Sequence, residues 1–438
     1  MNISIIGLGK LGLCTAACFA SKGHKVIGVD SNKDILAALR RKECPIPETG
    51  LENLLRATWD NFASTDDYAE AVAGSSLTMI IVPTPSRDDG AFTNNQVTEA
   101  LEQLAPAIAG KGGFHVVDVV STVMPGSCEK VFIPLLEDLT GRICGRDFGL
   151  VYNPEFIALG SVIRDFLQPD MVLIGASDDR SADIVRQVYA ATVDSQPHYA
   201  IMNLINAEIA KLSLNCFVTM KISFANELAA LCEKIPGADV DVISQALGVD
   251  SRVGGRYLTG GLGFGGPCFP RDNRALRALG REVNHRLRLP PQVATVNDSV
   301  PDRIASRLRD AVAPGGDVAL FGIAYKPNTP IVEESQGLIL AKRLIQQGYA
   351  VRLHDPLALG AARKALGDSV QYCFSPYEAA QGAQAIVLLT DWPQFIDYDW
   401  PRLDREAAPG ALLFDSWRVL RGKKFANVTY YPLGIGLR

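Results

Sequence analysis

The chain has 438 residues, 47% hydrophobic and 21% charged, with a formal net charge of −5. That length exceeds one core and implies two or three domains of an ordinary globular kind. The charge gives no electrostatic footprint for nucleic acid or an anionic membrane, and no apolar run approaches the roughly 18–20 residues of a membrane helix.

The N-terminal segment Met1-Asn2-Ile3-Ser4-Ile5 lacks a charged region followed by an apolar signal core, so a cytoplasmic protein is expected. Nine cysteines, an odd number with no CxxC pair, suggest neither a disulfide framework nor a zinc site. Five scattered histidines argue against metal catalysis, and no metal ligands are assigned.

Residues 2–6 predict a strand, followed by Gly7-Leu8-Gly9-Lys10-Leu11-Gly12, a helical pattern through Cys18 and Phe19, and a second strand over 26–29 ending at Asp30. That order matches a dinucleotide-binding turn. Gly7 permits the tight turn, Gly9 lets the backbone approach a pyrophosphate, and Gly12 lets the helix pack on the strand. The pyrophosphate would sit at the helix N-terminus, beside Leu11. Asp30, 18 residues after Gly12, would accept ribose hydroxyls and repel a 2′-phosphate, so NAD is expected over NADP.

Further strands are predicted over 77–82, 115–120 and 148–152. In an open parallel sheet, ligands lie beyond the carboxyl ends of strands, which places Thr84, Thr122 and Glu155 at the binding rim. Thr84 reads equally well as a turn residue between two prolines, and Glu155 as a helix cap. Residues 203–234 predict one long helix with apolar positions on more than one face, as a domain hinge or subunit interface would have. Lys211 and Asn215 are four apart on it, suited to stabilising an oxyanion or to forming a surface polar stripe.

The run Gly263-Phe264-Gly265-Gly266-Pro267-Cys268-Phe269-Pro270-Arg271-Asp272 places one cysteine in a glycine-rich turn that can bend close to a ligand. Asp272 follows one helical turn later if a helix begins near Pro270. After Pro314-Gly315-Gly316, strands over 318–325, 350–354, 385–390 and 411–414 alternate with helical patterns and imply a second parallel sheet without a GxGxxG turn. A cleft between the two sheet lobes should hold a substrate.

Assembled in this order, the motifs resemble the UDP-glucose/GDP-mannose dehydrogenase family across almost the whole chain. The resemblance rests on the GxGxxG turn, the run 45–51, Val82-Pro83-Thr84-Pro85, Ser121-Thr122-Val123 and Asn153-Pro154-Glu155-Phe156. It continues through Lys211 and Asn215, Asn226-Glu227, the run 250–254, the Cys268 loop and Gly322-Ile323-Ala324-Tyr325-Lys326. It implies an α/β fold of two Rossmann-like parallel-sheet domains joined by a central helical domain. The expected parts are 1–198 for NAD, 199–311 for the catalytic cysteine and dimerisation, and 312–438 for the nucleotide-sugar.

The family oxidises a sugar C6 alcohol to a carboxylate in two hydride transfers, with two NAD per turnover. By resemblance, Cys268 adds to the aldehyde as a thiohemiacetal and then carries a thioester that water hydrolyses. Lys211 favours the thiolate, and with Asn215 it stabilises the oxyanions. Asp272 and Glu155 are candidates for water-mediated general base work, with Thr122 positioning the water. Arg252, Tyr257, Gly265, Lys326 and Arg418 match positions that hold the nucleotide-sugar, together with Glu155, Lys211 and Asn215. The family dimerises through its central helices, so a homodimer is expected, with Arg252 reaching the partner's active site.

Four departures from the family pattern bear on the substrate: Ile157-Ala158-Leu159-Gly160 after the NPEF motif, the stretch 328–335 without its usual acidic pair and arginine, Ile35 near the ribose, and Trp417 before Arg418. UDP-glucose is the first expectation, and GDP-mannose or another UDP-hexose the alternative. A two-electron hydroxy-acid dehydrogenase would need no Cys268 loop. A non-catalytic NAD-binding protein would have no reason to combine Cys268, Lys211, Asn215 and Asp272.

Overall fold

The computed structural model describes residues 1–437 and divides into two compact units, 1–213 and 214–438. The first is built on a sheet of β1 (Asn2–Ile6), β2 (Lys25–Val29), β3 (Phe62–Thr65), β4 (Leu77–Ile80), β5 (His115–Val119), β6 (Phe148–Tyr152), β7 (Met171–Ala176) and β8 (His198–Met202). The spatial order is β3-β2-β1-β4-β5-β6-β7-β8. All pairs are parallel except β6 with β7, so β7 and β8 form an edge running the other way. Both faces are covered, so β4, β5 and β6 are buried along their whole length, the polar Thr78, His115 and Asp118 included. In β5, Val116 joins one core, while Val117 and Val119 turn to the other.

The second unit carries β9 (Asp317–Phe321), β10 (Ala350–His354), β11 (Gln371–Tyr372), β12 (Ala385–Leu388), β13 (Leu412–Asp415) and β14 (Thr429–Pro432). Its order is β11-β10-β9-β12-β13-β14, and every pair is parallel. The sequence predicts β9 as far as Tyr325, but it stops at Phe321. Gly322 there adopts φ +87°, and the next two N–H groups, of Ile323 and Ala324, both donate to one Asp355 oxygen at 2.7 and 3.1 Å. The other Asp355 oxygen takes Leu357 and Ala358 N–H at 2.8 and 2.7 Å.

The long helix spans Leu204–Cys232, 29 residues. Its buried positions include Leu212, Cys216, Ala225 and Ala229. Leu214, Phe217, Phe224 and Leu231 are exposed, the last three at seven-residue intervals and therefore on one side of the helix. Val218 is only partly covered. No helix among the described residues is long and apolar enough to cross a membrane.

Candidate active site

In the first unit, the glycine turn follows β1 and leads into the helix Lys10–Ser21, with Gly9 at its N-cap. Gly7 has φ +95°, a backbone state that L side chains rarely adopt, and a Cβ on Gly12 would lie 1.9 Å from the Gly7 carbonyl oxygen. A Cβ on Gly9 would meet nothing within 4 Å. Packing therefore requires glycine at 7 and 12, whereas at 9 the space is open, as an approaching pyrophosphate needs. Asp30 directly follows β2; its carboxylate accepts the Leu8 N–H at 2.6 Å and the Asn32 N–H at 2.7 Å, tying the acid to the turn. Leu11 is partly buried against the core. The set fits a dinucleotide, with free helix N–H groups for phosphate and an acid for the ribose.

Thr84 and Thr122 are brought together at the strand ends: the Thr84 hydroxyl donates to the Thr122 carbonyl at 2.7 Å. Ser121 reinforces this seam by accepting the Val82 N–H at 2.9 Å and donating to the Val82 carbonyl at 2.7 Å. Glu155, just beyond β6, accepts the Tyr189 hydroxyl at 2.6 Å. Lys211, 7% exposed, donates its Nζ to the Glu155 carbonyl and lies 4.3 Å from the centre of the Phe156 ring. Burial pushes the Glu155 carboxyl up to about 7, with the Tyr189 hydrogen bond and the Lys211 charge opposing the rise. Asp118, wholly buried in β5, is pushed well above the usual carboxylate range by burial and then by Glu155.

In the second unit, Cys268 stands at the N-cap of the helix Phe269–Glu282, which has proline in its first turn. The Asp272 N–H donates to the Cys268 carbonyl at 2.8 Å, so the helix begins where the cysteine sits. Asn215 donates its amide to the Asp272 carboxylate at 2.6 Å, and Asp272 is 2% exposed. Among the described residues, Cys268 is the one exposed cysteine. Cys14 and Cys216 are pushed up to about 12 by burial, which keeps those thiols protonated and inert.

The glycines before Cys268 are explained by crowding. A Cβ on Gly265 would lie 2.4 Å from the Glu334 carbonyl oxygen, and Gly266, at φ +79°, lies under the Tyr325 ring. Gly266 N–H also bonds the Glu333 carbonyl at 3.0 Å, so the 325–335 stretch clamps the cysteine loop. Glu334 further pairs with Arg274 at 2.8 Å.

The proposed nucleotide-sugar ligands fare differently. Lys326 lies within that stretch, its Nζ 5.7 Å from the Tyr325 ring centre. Tyr257 is exposed, holds φ +62° and stands edge to face with Phe269, ring centres 6.4 Å apart. Arg252 is exposed and paired with Asp250 at 2.6 Å. Arg418 is buried. Its five N–H donors go to both Asp241 oxygens and to the carbonyls of Ser416, Leu433 and Gly260. In this arrangement Arg418 fixes backbone and leaves no donor for a diphosphate. Of the departures, Ile35, Ile157 and Leu159 pack on the core, and Trp417 lays its ring on Gly261, where a Cβ would come within 2.7 Å.

Tyr189 and Glu208 are absent from the residues singled out by sequence. Tyr189 sits in an amphipathic helix, where its pattern signals only core. Glu208 carried one signal, an acid three residues before Lys211 on an apolar helix.

Three family profiles match the chain in succession. They are the NAD binding domain of the UDP-glucose/GDP-mannose dehydrogenase family over 1–193, its central domain over 205–299, and its UDP binding domain over 319–422. The chain belongs to this family. The N-terminal domain is thus an NAD-binding domain, and the protein is an NAD-dependent nucleotide-sugar dehydrogenase. It is 36% identical over 403 residues to a UDP-glucose 6-dehydrogenase of Haloferax volcanii, covering 91% of this chain and 93% of the relative. It is 33% identical to one of Pseudomonas aeruginosa, covering 100% and 97%. A UDP-glucose dehydrogenase structure from Pyrobaculum islandicum superposes with TM-score 0.89 at 34% identity, covering 99% and 98%. A UDP-D-ManNAc dehydrogenase structure from Pyrococcus horikoshii gives 0.85 at 26% identity and full coverage of both chains.

Proposed function

We propose that this enzyme oxidises the C6 hydroxyl of UDP-glucose to the carboxylate of UDP-glucuronate, a four-electron reaction that consumes two NAD. The observation that carries this reading is the exposed Cys268 at a helix N-terminus, one turn from an Asp272 that holds Asn215 at 2.6 Å. A two-electron alcohol oxidation needs no such thiol.

NAD, held by the Gly7–Gly12 turn and Asp30, would take a hydride in each oxidation. Cys268 keeps the intermediate on the protein. Its thiolate, favoured by the helix N-terminus, adds to the aldehyde carbon. The resulting thiohemiacetal oxyanion is met by the Asn215 amide and Lys211 ammonium. After the second oxidation, the carbon is a thioester. Water, deprotonated through Glu155 or Asp272 with Thr122 aligning it, adds to this carbon and expels the Cys268 thiolate. Lys326, Tyr257, Gly265 and Arg252 would hold the nucleotide-sugar, with Arg252 serving the partner's site. Arg418 would act through the backbone it fixes.

The same reading gives residues 1–198 to the cofactor, 199–311 to the thiol and self-association, and 312–438 to the nucleotide. It supposes a homodimer through the exposed side of the long helix, working in the cytoplasm. The alternative substrates are GDP-mannose and another UDP-hexose, the latter supported by the likeness to the UDP-D-ManNAc dehydrogenase. The test is a nucleotide-sugar panel scored by NADH yield. UDP-glucose should give the highest kcat/KM and two NADH per sugar. A higher value for another sugar overturns the substrate, and one NADH per sugar overturns the thioester route.

A further inference from the structure

Glu208 lies on the long helix one turn before Lys211 and is 0% exposed. Its carboxylate faces backbone N–H groups. One oxygen accepts the Gly126 N–H at 2.5 Å and the other the Cys128 N–H at 2.9 Å. Both donors belong to the turn that follows Thr122, just where a helical segment starts at Cys128. Helix-start N–H groups have no partners within the helix, so a carboxylate there satisfies them and complements the dipole. Burial pushes the Glu208 carboxyl up, and the two N–H groups oppose that rise. Other side-chain bonds also hold the same turn: Ser121 accepts the Val82 N–H and donates to the Val82 carbonyl, Thr84 donates to the Thr122 carbonyl, and the Asn94 amide donates to Ser127 at 3.0 Å. Glu208 joins the turn to the helix that bears Lys211.

We infer that Glu208 is a positioning residue that sets Thr122 and Lys211 from one strut, and so fixes the catalytic water relative to the oxyanion-binding ammonium. This rests on the roles given above to Thr122 and Lys211. A full carboxylate suits the task because it spans two N–H groups with two oxygens. An amide of the same shape offers one acceptor and turns its NH2 toward a backbone donor.

The experiment compares wild type, Glu208→Gln, Glu208→Asp, Thr122→Val and the Glu208→Gln/Thr122→Val double variant. Rates are expressed per NAD site counted by equilibrium binding, so misfolded protein does not count. Glu208→Gln should lower kcat by about tenfold to a hundredfold, the scale of an ångström-sized misplacement, with KM for NAD within about twofold. Glu208→Asp keeps the charge but shortens the reach and should fall between. The double variant should be no slower than Thr122→Val, because both changes remove one function. Wild-type kcat in either Glu208 variant, or full additivity in the double, overturns the inference. If Gln yields no folded protein, the Asp variant decides alone. A wild-type yield other than two NADH per sugar would instead strike the functional reading, which separates the two failures.

Discussion

Glu155 should give the enzyme an activity limb near neutrality, and Tyr189 should set where it lies. A carboxyl near its ordinary 4.5 would be ionised at both pH 6 and pH 8. At about 7, Glu155 is roughly one-tenth ionised at pH 6 and nine-tenths at pH 8. A general base works only when ionised, so kcat/KM for the nucleotide-sugar should rise nearly tenfold over that interval and then level. The Tyr189 hydroxyl, 2.6 Å from the carboxylate, favours the charged form. A hydrogen bond to a charged group contributes about 1.5–3 kcal/mol, equivalent to about one to two pH units. Tyr189→Phe should therefore move the limb upward by about one unit or more, cutting the rate at pH 7 several-fold while restoring it above pH 9. Lys211 also favours the charged form, so its charge does not reverse the sign. The assay is initial NADH formation across pH 5.5–9.5 at saturating NAD (about the range these values require), with Glu155→Gln as the variant that should lose the limb. A limb unmoved by Tyr189→Phe, or moved to lower pH, refutes the reasoning.

Cys268→Ser should abolish net turnover while leaving NAD binding intact, because serine is a far weaker nucleophile and its ester hydrolyses slowly. Stopped-flow NADH formation should show a slow burst of one equivalent or less, and near-wild-type steady-state rates would remove Cys268 from the mechanism. NAD should be preferred over NADP by at least about tenfold, or ~1.4 kcal/mol, since a 2′-phosphate would meet the Asp30 carboxylate. Equal kcat/KM for the two cofactors would contradict that role. Phe217→Glu with Phe224→Glu should turn a dimer into monomers by light scattering, as charge enters the exposed stripe; a wild-type chain that is monomeric and fully active at micromolar concentration sinks the dimer.

Much of the architecture was legible because period and punctuation carry it: β1, β2, β6, β10 and the long helix fall where their apolar patterns place them. The errors share a cause. Strands expected to run to Val82, Val120 and Tyr325 stop at Ile80, Val119 and Phe321, because apolar composition continues after the chain has turned. Periodicity also carries no direction, so the reversed β7–β8 edge was invisible. In the site, motifs named the residues but not their engagements. Nothing local in the sequence says that Asp241, 177 residues before Arg418, claims its guanidinium, or that Tyr189 reaches Glu155.

Asp355 occupies in the second sheet the place Asp30 holds in the first, at the end of the strand beside the opening one. Asp30 spends its oxygens on two backbone donors, Asp355 on four. A redesign that sought to turn the second lobe into another dinucleotide carrier by grafting glycines alone would therefore fail, because its acid is already a rivet between two loops. Divergence between the lobes is recorded in how many lone pairs each acid has left to offer.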